Sequence, residues 1–156
     1  MNNLLESNSV AAGLLELEVR FDIMSKIQLF PPHVSVALCG DNGLALLKCE
    51  REVFLKELSQ KDDLVFVIWA EGPPRHFTWL HVRCTKKCKV QRIGEASGSK
   101  YDVTYKDPLV IPTDGNLEMA KRLLCNIGLP DAADTLAPSN RDHQADGWSC
   151  GVRCCI

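Results

Sequence analysis

The stretch Gln144-Ala145-Asp146-Gly147-Trp148-Ser149-Cys150-Gly151 sets a side-chain amide six positions ahead of a cysteine, and a glycine follows that cysteine at once. A cysteine that attacks a carbonyl carbon needs a stabilised thiolate, a base, a partner to orient the base, and donors for the oxyanion that develops. The sequence offers a candidate for each. The turn at Asp146-Gly147 can lead into a helix whose N-terminal dipole would favour a Cys150 thiolate. The Gln144 amide and the backbone N–H of Cys150 can both donate to an oxyanion. His76 opens a β-prone segment directly after the Pro73-Pro74 turn, where a side chain can project over the end of a sheet. Asp107 closes the next readable strand at the same kind of edge and can accept the second imidazole N–H.

These side chains must be held by a fold, and the pattern of the chain indicates which. From Leu64 to Trp69 six apolar residues run unbroken, so short and so rich in Val and Ile that they read as a strand buried on both faces. Arg75 to Arg83 alternates, with His76, Thr78, Leu80 and Val82 on one face and Phe77, Trp79 and His81 on the other. Tyr101 to Tyr105 reads as a further strand, ending at Asp107-Pro108. Asp114 can cap a helix over about 117–126, whose Leu117, Ala120, Leu123, Leu124 and Ile127 share a face and which Gly128 stops. Pro31-Pro32 and the Asp41-Asn42-Gly43 turn point to a β-hairpin of 33–38 with 44–49. Residues 3–19 carry rough helical spacing, and 129–146, rich in Pro, Asp, Ala and Ser, read as a long loop.

The 156 residues, 46% of them hydrophobic, suit one domain with one core. A net charge of −2 gives no electrostatic reason to expect binding to nucleic acid or to anionic lipid. No segment approaches the ~18 apolar residues that span a bilayer, and the first thirty residues lack the basic and apolar regions of a signal peptide. The expectation is a monomer inside the cell, in the nucleus or cytoplasm, whose eight cysteines are reduced thiols. Arg153 stands where a C-terminal prenylation box would need cysteine, so no lipid anchor is expected.

Three segments together, His76-Phe77-Thr78-Trp79-Leu80, Val103-Thr104-Tyr105-Lys106-Asp107-Pro108-Leu109 and Gln144 to Val152, resemble the ubiquitin-like-protein-specific (SUMO) proteases. That family carries a His-Trp-x-Leu strand, a strand ending Asp-Ser-Leu, and a Gln element leading to Cys-Gly-Val, in this chain order. The likeness spans about residues 62–156. It implies an α+β, papain-like fold of the adenoviral-protease type, a mixed sheet flanked by helices, with the cysteine at the start of a core helix. By that likeness His76 is the general base, Asp107 its orienting carboxylate, Gln144 the oxyanion donor and Cys150 the nucleophile. Phe77 stands where the family has a tryptophan over the tunnel for a Gly-Gly tail. Phe77, Trp79 and Trp148 are therefore the expected substrate-binding aromatics. The implied activity is cleavage after the C-terminal glycine of a ubiquitin-like modifier, deSUMOylation first, with no metal or organic cofactor. Only six residues follow Cys150, where the family's helix runs on. The chain is accordingly read as a single peptidase domain over 1–156 that is incomplete, and an inactive relative that binds a ubiquitin-like protein is the alternative.

Other assignments stay open on the residues alone. His81 is a rival base, though strand parity puts it on the opposite face from His76, and Asp102 is a rival carboxylate at the opening of its strand. His143 reads as a loop residue. Cys84 with Cys88 and Cys150 with Cys154 form two CxxxC pairs, which could close a structural zinc site in an interaction module. That spacing is wider than the CxxC of zinc knuckles. Cys39, Cys49 and Cys125 fall on apolar faces and read as core thiols.

Overall fold

A computed structural model describes residues 9, 12–13, 15–16, 26–40, 60–70, 76–84, 101–108 and 114–139. The apolar run around Leu64 becomes β2 (Asp63–Ala70), an inner strand of a four-stranded sheet in which Phe66, Val67 and Ile68 are all fully buried. Its continuous hydrophobicity reflects cover on both faces. β3 (His76–Cys84) and β4 (Tyr101–Lys106) follow it as an antiparallel meander, and β1 (Ile27–Phe30) lies parallel to β2 on its other side. The order is β1-β2-β3-β4. A parallel neighbour requires the chain to cross over between residues 30 and 63 rather than turn back on itself.

One face of the sheet carries Leu64, Phe66 and Ile68 from β2, Leu80 and Val82 from β3, and Tyr105 from β4. The helix α2 (Asp114–Asn126) covers this face with Ala120, Leu123 and Leu124, joined by Ile127 just beyond its end. All four are fully buried, as a stripe at helical spacing requires. α2 ends where Gly128 takes φ 89°. There the Leu129 N–H reaches the Leu124 carbonyl at 2.8 Å and the Gly128 N–H reaches that of Cys125 at 3.1 Å, the paired bonds of a Schellman stop. Across the sheet, Phe30 and Phe66 are register partners and stack with centroids 4.4 Å apart, fastening the parallel edge. On the opposite face Val67 and Phe77 are just as deeply buried, and Phe77 packs on its cross-strand partner Trp69.

Two expectations from the sequence are corrected. Residues 33–38 are not a strand of a hairpin but most of a helix, α1 (Pro32–Cys39). Pro31 is extended, Pro32 occupies the first helical position, where its missing N–H costs nothing, and the Val34 and Ser35 amides both bond the Pro31 carbonyl. The β-branched Val34 and Val36 disguised this, and burial of Ser35, Leu38 and Cys39 overrides their preference. The proposed partner, 44–49, lies outside the described residues. The second correction is within 129–146, where Pro130–Asp134 forms a short helix, α3. Leu129, Ala133 and Leu136 are buried at spacings of four and three, so the segment has an apolar face that its polar composition hid. Of the helix expected over 3–19, the described positions 9, 12, 13, 15 and 16 are helical, and the others lie outside the described residues. No helix among the described residues is long and apolar enough to cross a membrane.

α2 is clamped between the sheet, α1 and α3, so a void in its apolar stripe has little room to collapse. Leu123→Ala is expected to lower stability by about 2–5 kcal/mol, read from the shift of the urea unfolding midpoint at constant slope.

Candidate active site

His76 is the first residue of β3, paired with Ala70 at the end of β2. Asp107 comes directly after β4, whose last residue, Lys106, pairs with Trp79. One further step in that register brings Asp107 level with Thr78, on the face that α2 covers, and makes His76 its diagonal neighbour. Strand parity therefore selects which histidine meets which aspartate. The His76 Nε2–H donates to Asp107 Oδ1 at 3.0 Å, and the two side chains are 2% and 0% exposed. Removing a carboxylate and an imidazole from water is costly unless each satisfies the other. With the proton held at Nε2 by the carboxylate, base chemistry falls to Nδ1.

A third polar side chain reaches the same atom. Asn116, in the first turn of α2, is fully buried and its amide nitrogen lies 3.3 Å from His76 Nε2. The sequence reading passed over it. The signal was available, because Asn116 precedes Ala120, Leu123, Leu124 and Ile127 at spacings of four, seven, eight and eleven and so interrupts the apolar stripe with an amide.

The rival residues sit elsewhere. His81 points from the opposite face to Asp63, with Nε2 2.6 Å from Oδ1, and the Arg83 Nε–H donates to the same oxygen at 2.8 Å. Desolvation by partial burial pushes the Asp63 carboxyl up, but the hydrogen bonds and charges of Arg83 and His81 outweigh it and hold the group below the usual 3.8. Asp102 is exposed and pairs across the strands with Arg83. Cys39, by contrast with a nucleophile, is a core thiol: burial pushes it up to about 12, only partly offset by the Arg122 charge. Cys125 is exposed.

Of the expected substrate aromatics, Phe77 is buried and Trp79 half-buried, with the Lys106 ammonium 5.0 Å above the Trp79 ring. Gln144, Trp148 and Cys150 lie outside the described residues, as do His143, Cys88 and Cys154, and the Cys84 side chain is likewise not described. Among the described residues no three His, Cys, Asp or Glu side chains are grouped so as to hold a metal ion.

The fold is that of XopD. The structure of this Xanthomonas campestris effector protein, bound to ubiquitin, superposes with a TM-score of 0.72 over 99% of this chain and 72% of that one, at 16% sequence identity. The architecture is thus α+β and papain-like, with a mixed sheet flanked by helices. No family model matches the sequence, and no curated protein matches it.

The Asp63 cluster has a pH signature of its own. Because its folded pKa is depressed, its contribution is fully present above the unfolded carboxylate value and is lost as pH falls through the lower folded one. Wild type is expected to melt above Asp63→Asn at pH 6, with the gap closing as the pH is lowered through and below about 4, in thermal melts at matched ionic strength.

Proposed function

We propose that the protein is a cysteine peptidase that cleaves the bond following the C-terminal glycine of a ubiquitin-like modifier, a SUMO-like modifier and its conjugates being the substrate class. The observation that carries this is the fully buried His76–Asp107 pair at the strand ends of a fold shared with a protein solved in complex with ubiquitin. The course of the chain adds to it. The Ser139 N–H donates to the Tyr105 carbonyl at 2.9 Å, two residues before Asp107, so the last described residue before Gln144 lies beside the strand that leads to the pair.

In this reading the Cys150 Sγ–H proton passes to His76 Nδ1, and the thiolate attacks the glycine carbonyl carbon to form a C–S bond. The oxyanion is held by the Gln144 amide and the Cys150 N–H. As the C–N bond breaks, the imidazolium returns the proton to the leaving amine. Water then attacks the thioester with His76 as base, releasing the modifier's carboxylate and restoring the thiol. Asp107 keeps the imidazole proton on Nε2 throughout and stabilises the cation in between. Trp79 and Trp148 contact the modifier's tail; Phe77, expected with them, is buried against Trp69 and does not reach it. The protein acts as a monomer inside the cell, in the nucleus or cytoplasm, without metal or cofactor.

The test uses SUMO and ubiquitin carrying a C-terminal electrophile. A covalent adduct is expected with at least one of them, mapped to Cys150 by peptide mass spectrometry and absent in Cys150→Ser. His76→Ala should slow labelling by about 10²-fold or more, the usual contribution of a general base. A folded sample that binds a modifier yet forms no adduct would make the protein a non-catalytic receptor.

A further inference from the structure

We propose that Asn116 is a positioning residue for His76, its amide oxygen serving as a second acceptor for the Nε2–H beside Asp107. This deepens the peptidase reading and rests on it. Three facts meet at one nitrogen. His76 Nε2 lies 3.0 Å from Asp107 Oδ1, which fixes Nε2 as a donor. The Asn116 amide is 3.3 Å from the same atom. Asn116 Oδ1 is buried and has no hydrogen-bond partner among the described residues.

An amide's oxygen and nitrogen exchange places by a half-turn about the terminal bond, with every other atom left in position, and the pattern of donors decides between the two settings. An N–H aimed at Nε2 would set donor against donor and leave the buried Oδ1 without a proton. The half-turn gives Oδ1 the Nε2–H. The ring nitrogen then has two acceptors arriving from two elements, Asp107 from the end of β4 and Asn116 from the first turn of α2. Two such contacts fix the ring plane as well as the tautomer, which one contact alone does not.

The arrangement makes the roles partly redundant, and that redundancy can be measured. In Asp107→Ala the imidazole is expected to keep its proton on Nε2, because Asn116 still accepts it. In Asp107→Ala/Asn116→Leu, where the amide is replaced by an apolar group of similar size, the Nδ1–H form should appear. Long-range ¹H–¹⁵N correlation of the imidazole reads this directly, and the His81 ring, on the other face, reports whether each variant is folded.

A second arm uses Asn116→Leu alone. The rate of electrophile labelling at saturation should fall about tenfold or more, with the half-saturating modifier concentration unchanged, as expected for a misaimed base rather than a damaged docking surface. Where Asp107→Ala does not fold, this arm decides. Unchanged tautomer in the double variant, or unchanged labelling in Asn116→Leu, would overturn the proposal. The tautomer needs no turnover to be observed, so failure of wild type to label at all would remove the peptidase reading without mimicking either result.

Discussion

The strands β3 and β4 and the helix α2 meet at a hydrogen bond that water does not reach. An imidazole and a carboxylate with side chains 2% and 0% exposed must have been aligned by something other than their own attraction, since each pays for dehydration before either gains from the other. The alignment comes from strand geometry. β3 begins at His76 and β4 ends one residue before Asp107, in a register that sets the two on the same face one step apart. A slip of one residue would send one of them to the opposite face. The apolar pairs further down the same strands, Leu80 with Tyr105 and Phe66 with Leu80, fix that register by their burial. Core packing thereby sets the geometry of the pair at the sheet's end.

The sheet was legible because its signals were strong and local. The unbroken apolar run of β2 and the alternation of β3 each admit one physical reading, and alternation alone separates His76 from His81. The stripe of α2 was legible for the same reason. What escaped was decided by distant contacts. Val34 and Val36 favour a strand locally, and α1 forms because Leu38 and Cys39 find cover against the sheet and α2. The helix over Pro130–Asp134 was hidden by its polar residues, although Leu129, Ala133 and Leu136 held the pattern.

The site was legible in a different way. His76 and Asp107 were found because their types suit the chemistry and each marks a strand end, and the structure brings them within hydrogen-bond distance. Asn116 was passed over because the helix start was read from Asp114 as its cap and the apolar stripe from Leu117 onward. Its meaning depends on which face of α2 is buried, and on what lies at the far side of that face. A polar side chain interrupting an apolar stripe is the one trace such a residue leaves in a sequence.

α2 bears an asparagine at each end of its apolar stripe. Asn116 touches the imidazole, and ten residues on, about 15 Å along the axis, the Asn126 amide donates to the Leu38 carbonyl at 2.6 Å, closing the end of α1. The helix is thus a strut pinned at both tips, one to the buried His76 imidazole and the other to the crossover that brings β1 beside β2. Tilting it would load both pins together, so the parallel edge of the sheet and the ring plane of His76 share one mechanical element.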